Sequence, residues 1–273
     1  MKIVGQKETM KEISKVIDIF KASAAEIRAH FILTGPSGSG KTAIIKHLIE
    51  KHDLNFLEIN AAQLTKEGTS GNSLSKALSP LAQTQNKLTV CFVDEFDKLF
   101  ISGNSNSSLA HETTNGVQNE FLKVLEADET SVFGDYGKYV NVQTKNVLFV
   151  FAGAFNGEED ITLDRLQELG IKTEFLGRVG LVYNLKPLTL ENLYEILEDS
   201  PLLEKYLVLY HNDENVDEKE VVKDIKNYLK KNYEMNTIGA RTINTLIHKW
   251  FLKGGNLEEN EVKKMTFQKS LRL

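Results

Sequence analysis

The residues that most clearly specify chemistry form a glycine-rich segment near the N-terminus. Residues 35–42 read GPSGSGKT, which fits the pattern G-x-x-x-x-G-K-[ST]. Glycines at these positions let the backbone curl so that successive N–H groups point at phosphate oxygens. Lys41 is expected to reach the β- and γ-phosphates, and the Thr42 hydroxyl to bind Mg²⁺. The segment predicts a nucleotide site whose phosphate-binding residues are Pro36, Ser37, Gly38, Ser39, Gly40, Lys41 and Thr42.

Two adjacent carboxylates, Asp94 and Glu95, end an apolar run at residues 90–93. If this run is a strand that ends beside the phosphate loop, Asp94 would hold Mg²⁺ through water. Glu95 would then polarise the water that attacks the γ-phosphate, which is general-base chemistry. The second acid favours ATP hydrolysis over GTPase or kinase chemistry. The alternative is a solvated acidic turn after a core strand.

Apolar patterns predict the elements that must position these groups. Three stretches have apolar residues every three or four positions, which predicts helices: 10–20, 44–49 and 117–125. Four short apolar runs predict strands: 30–34, 56–59, 88–93 and 147–152. Strands separated by helices predict an α/β fold with a parallel sheet between helices.

The strand pattern nearly disappears after about residue 185. Pro187 interrupts the chain, and Thr189 is predicted to cap a helix. Helical stripes follow at 190–197, 221–229 and 240–250. We therefore predict an α/β nucleotide-binding domain over residues 1–185 and a small, mainly helical domain over residues 186–273.

Composition excludes several classes of protein. The 273 residues carry a formal net charge of −5 and one cysteine, so a disulfide framework and a multi-thiolate metal site are excluded within one chain. Neither a signal peptide nor an apolar run long enough to span a bilayer is found. We expect a cytoplasmic protein that does not bind a membrane, and the acidic balance disfavours nucleic acid.

The order of the motifs resembles the AAA+ ATPases, and in detail the ClpX/HslU group of the Clp/Hsp100 ATPases. The resemblance runs in chain order from residue 3 to about residue 255. Six segments carry it: IVGQ at 3–6, DEFDK at 94–98, GVQ at 116–118, LFVFAGAF at 148–155, EFLGR at 174–178 and GAR at 239–241.

This resemblance implies a P-loop AAA+ module, followed by a small helical lid domain, and gives roles to further residues. Ile3 and Val4 would lie beside the adenine, and Arg241 would be the sensor-2 arginine. Arg178 would be an arginine finger that reaches the γ-phosphate of a neighbouring subunit, since a guanidinium offers forked donors. The alternative for Arg178 is a local ion pair with Glu174. A finger that acts in trans implies self-association into a ring, expected to be a hexamer.

Several features of the ClpX group are not found. That group's GYVG pore loop aligns with GTSG at 68–71, and its basic RKH loop is not visible around 133–137. Residues 107–112 replace its second pore segment, and the serine- and asparagine-rich stretch 102–108 predicts a mobile loop. The peptidase-docking insert is absent between Phe155 and Phe175, and the sequence begins without the zinc domain. We therefore expect no docking to ClpP.

Three functions stay open on this pattern, all with ATP and Mg²⁺ as cofactors. The favoured one is an oligomeric ATPase that remodels or switches an unidentified protein without a peptidase partner. A DNA-associated motor or loader is disfavoured by the acidic balance. A nucleotide-dependent scaffold is disfavoured because Glu95, Arg178 and Arg241 are all present. The sensor-1 position also stays open, since Asn156 lies beyond the usual place.

Overall fold

The computed structural model describes residues 3–65, 72–84, 87–100, 108–134, 137–210 and 216–257, without the side chains of 108–114. The strands are Phe31–Thr34 (β1), Asn55–Asn60 (β2), Thr89–Asp94 (β3), Glu129–Phe133 (β4), Tyr139–Gln143 (β5), Val147–Gly153 (β6) and Leu181–Asn184 (β7). The helices are Lys7–Ala22 (α1), Lys41–His52 (α2), Leu74–Ala77 (α3), Ser108–Glu126 (α4), Leu163–Glu168 (α5), Thr173–Val179 (α6), Leu190–Glu198 (α7), Pro201–Leu209 (α8), Glu218–Asn232 (α9) and Arg241–Leu252 (α10).

Five strands form one parallel sheet in the order β2-β3-β6-β1-β7. All four residues of β1 are buried, because β6 pairs with it on one side and β7 on the other. This confirms the predicted α/β fold with a parallel sheet. The sequence patterns did not predict β7, nor the antiparallel pair of β4 and β5, which forms a separate two-stranded sheet.

The core beside the sheet is rich in phenylalanine. The ring centroid of Phe96 lies 4.8 Å from that of Phe151 in β6 and 5.2 Å from that of Phe175 in α6. Phe96 belongs to a 3-10 turn at Phe96–Leu99, directly after β3 and Glu95. These contacts fix the turn after β3 against both β6 and α6, because aromatic side chains bury large areas in specific geometries.

The chain forms two compact units. The first comprises Gln6–Pro36 and Gly40–Lys186; the second comprises the described residues of 1–5, 37–39 and 187–273. Within the second unit, Thr189 and Asn192 form a capping box at the start of α7, which confirms the predicted cap. Helix α8 was not predicted. The division into domains at residues 185 and 186 stays a prediction.

Some sequence predictions fall on segments outside the described residues. They include the aligned pore loop at 68–71, nearly all of the stretch 102–108, and residues 135 and 136 between β4 and β5. Residues 108–112 belong to α4. Among the helices that the structure describes, none is long and apolar enough to cross a membrane. A cytoplasmic location stays a prediction.

His30 is a buried titratable group just before β1. Its Nδ1 accepts a hydrogen bond from the backbone N–H of Phe149 at 3.1 Å. Burial, and secondly the nearby charge of Arg28, lowers the pKa of His30 to about 4. The unfolded chain therefore binds the proton more tightly than the folded chain. The contribution of His30 to stability is complete above about pH 6.5 and is lost as the pH falls towards 4.

We expect His30→Asn to remove this pH dependence, because an amide oxygen can still accept from Phe149 but does not titrate. As the pH is lowered from 7.5 to 5, the wild type should lose about 2 kcal/mol of unfolding free energy relative to the variant. Urea denaturation at a series of pH values measures this difference. A difference that stays constant with pH would contradict the assignment.

Candidate functional site

The carboxyl ends of the parallel strands meet along one edge of the sheet. Thr34 at the end of β1 pairs in register with Gly153 of β6 and Asn184 of β7. Asp94 ends β3 on the other side of β6. In open α/β sheets, ligands bind beyond the carboxyl ends of the strands, where the connections diverge. Both sequence signals, the loop at 35–40 and the acids at 94–95, therefore lie at the edge where a ligand is expected.

The backbone of the glycine-rich loop adopts conformations that favour glycine. Gly38 has a φ of 71° and Gly40 a φ of 103°. A β-carbon at Gly40 would meet no atom within 4 Å, so open space faces this residue. Gly40 caps α2, and the first N–H groups of a helix have no partners within it and favour anions. The loop and helix start thus have the shape and polarity that a phosphate group requires.

Lys41 supplies the positive charge at this position. Its Nζ donates hydrogen bonds to the carbonyl oxygens of Gly35, at 2.6 Å, and Pro36, at 3.1 Å. Its charge also acts on Asp94, whose carboxylate it stabilises. Both of these acceptors are neutral. A negatively charged phosphate can replace them, because a hydrogen bond between two charged groups is stronger than one to a carbonyl oxygen.

Asp94 is a partly buried acid that is well suited to a metal ion. Burial raises the pKa of Asp94. Two smaller effects lower this pKa: the hydrogen bond that the Glu95 N–H donates to Asp94 Oδ1 at 2.8 Å, and the positive charge of Lys41. Glu58 and Glu95 raise this pKa further. A divalent cation here would offset both the burial and the repulsion. Among the described residues, no group of three or more histidine, cysteine, aspartate or glutamate side chains could hold a metal ion.

Glu95 is exposed at the same edge, next to Asp94. Its φ of 55° is left-handed, which is unusual for a residue other than glycine or asparagine. This conformation turns the chain so that Phe96 enters the core while Glu95 remains exposed to solvent. Such strained residues persist where the surrounding structure imposes them, and they are common at functional sites.

Arg178 lies at the end of α6, and its side chain is 55% exposed. Its Nη2 donates to Oε1 of Glu126, the last residue of α4, at 2.9 Å. The ion-pair partner in the structure is therefore Glu126 rather than Glu174, which the sequence suggested as the alternative. Because exposed pairs of this kind contribute only about 0–1 kcal/mol, Arg178 can leave Glu126 at small cost.

The second compact unit brings Arg241 to the tip of the glycine-rich loop, which is part of that unit. Arg241 Nη1 donates to Ser37 Oγ at 3.3 Å, and the N–H of Ala240 donates to the Gly38 carbonyl oxygen at 3.1 Å. A β-carbon at Gly38 would lie 2.1 Å from the carbonyl oxygen of Ile238, so glycine is required there. The predicted association of Arg241 with phosphate stays a prediction.

The adenine-side residues Ile3 and Val4 also belong to the second unit, and Val4 is buried. Gly5 follows them with a φ of 78°, and a β-carbon there would lie 2.6 Å from Asn192 Oδ1. Their position beside an adenine ring stays a prediction.

Polar contacts that no sequence pattern predicted fix the base of the loop. Thr34 Oγ1 donates to Asn184 Oδ1 at 2.6 Å, and that oxygen also accepts from the N–H of Ile161 at 2.8 Å. Gln6 binds both backbone groups of Lys186, which precedes Pro187. In the sequence, the sign of these contacts is that Thr34 and Asn184 each end a short apolar run. Their pairing depends on β1 and β7 being neighbours, which no local pattern indicates.

The family model named ATPase family associated with various cellular activities (AAA) matches residues 31–172, which is more than half of the chain. The chain belongs to the AAA family. The matched range of this AAA module includes the glycine-rich loop, Asp94 and Glu95.

Curated relatives agree with the resemblance to ClpX. The ATP-dependent Clp protease ATP-binding subunit ClpX of Treponema denticola is 30% identical over 193 residues, covering 66% of this chain and 45% of the relative. ClpX 2 of Wolinella succinogenes is 29% identical over 220 residues, covering 68% and 55%. ClpX of Borrelia duttonii is 28% identical over 215 residues, covering 70% and 50%. The AAA module thus spans about half the length of these relatives and is a distant homologue of them.

Two glycines with nearly equal φ angles allow a controlled test of the phosphate site. Gly40 and Gly170 have φ values of 103° and 100°, and a β-carbon at either would meet no atom within 4 Å. We expect alanine at either position to cost about 1–2 kcal/mol of stability through backbone strain.

Gly40→Ala alone should weaken ATP binding, by about tenfold or more, because its β-carbon enters the space that faces the phosphates. Calorimetric titration with Mg-ATP measures the affinity, with Gly170→Ala as the control for strain. Equal affinities in the two variants would contradict the site.

Proposed function

We propose that this AAA module binds ATP with Mg²⁺ and hydrolyses it to ADP and phosphate. One observation carries the proposal: the glycine-rich loop, with Lys41 Nζ bonded to the Gly35 carbonyl oxygen at 2.6 Å, begins at the same edge of the sheet at which Asp94 ends β3 beside the exposed Glu95. Opposite charges of this kind, next to a glycine-rich loop and a helix N-terminus, suit a triphosphate with a divalent cation.

Each residue then has a separate task. The backbone N–H groups at 37–42 bind the phosphates, and Lys41 exchanges the carbonyl oxygens of Gly35 and Pro36 for phosphate oxygens. Asp94 and Thr42 would hold Mg²⁺, which would supply positive charge to neutralise the phosphates. Glu95 accepts a proton from the attacking water, which its exposed position allows.

We further propose that Arg178 acts on the nucleotide of a neighbouring subunit in a ring, expected to be a hexamer. The exposure of Arg178 and its weak pair with Glu126 support this role, since the guanidinium can be released to a more strongly charged partner. Arg241 donates a hydrogen bond to Ser37, so a change in the conformation of the glycine-rich loop would move α10, which begins at Arg241.

The role that fits these proposals is that of a protein-remodelling or switching ATPase without a peptidase partner. The support is the relationship to ClpX, together with the GTSG sequence at 68–71, where that group has an aromatic side chain to contact polypeptide. The protein on which it acts is not specified by these residues.

We expect Lys41→Ala to abolish tight ATP binding, since the phosphates lose their main cation. Glu95→Gln should still bind ATP but lose about a hundredfold or more in turnover, because an amide cannot accept the proton. Phosphate release and nucleotide titration measure the two effects. Glu58→Gln is the matched control, because Glu58 also acts on Asp94 but is paired with Lys46 at 2.8 Å and has no proposed role. Wild-type turnover in Glu95→Gln would refute the assignment.

We expect Arg178→Ala and Lys41→Ala subunits to restore activity when they are mixed. An intact glycine-rich loop of one subunit can then meet an intact arginine of the other, so the mixture should exceed the mean of the separate activities. The control is Arg165→Ala, since Arg165 pairs with Glu158 and Glu168 of its own chain and should remain active without mixing. Activity that is independent of mixing and of protein concentration would exclude a finger in trans.

A further inference from the structure

A buried acid joins the turn that follows β3 to the turn that follows β6. Asp97 is 2% exposed, and its Oδ2 accepts a hydrogen bond from the backbone N–H of Phe155 at 3.2 Å. The Lys98 ammonium lies 3.9 Å from the same oxygen but is half-exposed. The carboxylate is thus used inside the protein to hold a backbone group of a segment 58 residues away. Buried polar groups of this kind are costly unless they are satisfied.

Asp97 also packs directly on the end of β6. A β-carbon at Gly153 would lie 2.7 Å from Phe155 Cε2, 2.9 Å from Asp97 Oδ1 and 3.0 Å from Asp97 Cβ, so a side chain there would displace the acid, the Phe155 ring or both. The next turn is strained, because Phe155 has a φ of 45° and Asn156 a φ of 58°. Consecutive left-handed residues other than glycine persist only when the surroundings impose them. The hydrogen bond that the Phe155 N–H donates to Asp97 is one such constraint.

The same acid is closely coupled to Glu95. Only Phe96 separates them, and the Phe96 ring is fully buried against Phe151 and Phe175. The N–H of Lys98 donates to the carbonyl oxygen of Glu95 at 3.0 Å, which closes the 3-10 turn around Asp97. A movement of Asp97 therefore changes the backbone from which the Glu95 side chain extends.

We propose that Asp97 is a positioning residue for hydrolysis, which sets the place of Glu95 relative to the turn that carries Asn156. This inference rests on the proposed function. Water attack needs the general base and the neighbouring polar groups at fixed distances, and a misplacement of about 1 Å can cost about a hundredfold in rate. A purely structural acid would instead affect stability and leave the chemistry unchanged in the folded protein.

The test compares Asp97→Ala and Asp97→Asn with a control elsewhere in the same unit. Asn keeps an oxygen that can accept from the Phe155 N–H, whereas Ala does not. The control is Thr144→Ala, which removes another buried side-chain bond, from Thr144 Oγ1 to the Ala127 carbonyl oxygen at 2.6 Å. Steady-state ATPase assays give kcat and KM, and urea denaturation gives the stability of each variant.

We expect Asp97→Ala to lower kcat by about tenfold to a hundredfold while the KM for ATP changes less than about threefold, because the glycine-rich loop is untouched. Asp97→Asn should stay within about threefold of the wild type, and Thr144→Ala should lose stability only. A kcat of Asp97→Ala equal to that of Thr144→Ala would overturn the inference, as would a failure of Asp97→Asn to restore kcat.

One further variant keeps the test decisive if Asp97→Ala does not fold. A β-carbon at Gly153 would press on both Asp97 and the Phe155 ring, so Gly153→Ala disturbs the two partners of the hydrogen bond and should lower kcat in the same way. An unchanged kcat overturns the inference.

The two failures are distinguishable. If the wild type releases no phosphate from ATP, the proposed function is wrong and the inference falls with it. If the wild type is active and Glu95→Gln is not, but Asp97→Ala retains its kcat, only the role of Asp97 is wrong.

Discussion

The pairing of β1 with a strand on each side places the start of the glycine-rich loop at the same sheet edge as Asp94 and Glu95. β1 is four residues long and entirely buried, and its neighbours β6 and β7 run parallel to it. Parallel strands end at the same edge, so the glycine-rich loop after β1 opens beside the ends of β3, β6 and β7. The bond from Thr34 to Asn184 fixes this edge at the base of the loop. The proposed ATP site therefore depends on the order of the strands as much as on the loop itself.

The aromatic core around Phe96 extends this constraint to a second functional element. Phe96 follows Glu95 directly, and its ring is stacked on that of Phe175, in the helix that carries Arg178 three residues later. The proposed general base and the proposed finger are therefore both packed against the same group of aromatic side chains.

Local patterns predicted much of the fold. The loop at 35–42, the strands β1, β2, β3 and β6 and the cap at Thr189 depend on residues close together in the chain. The four-residue strand β7 was missed because its run is short and half-exposed. The roles of Asp97 and Asn184 and the pairing of Arg178 with Glu126 were missed because each depends on a partner more than twenty residues away. A helix pattern alone suggests Glu174 for Arg178, since residues four apart share a face.

Lys41 and Asp94 are proposed to form an ATP site at this edge of the sheet, with Glu95 beside it. A crystal structure of the Glu95→Gln protein with ATP and Mg²⁺ would test this arrangement. We expect Lys41 Nζ to leave the carbonyl oxygens of Gly35 and Pro36 for phosphate oxygens, and Mg²⁺ to lie between the phosphates and Asp94. Nucleotide bound elsewhere, with Lys41 still on both carbonyl oxygens, would contradict it.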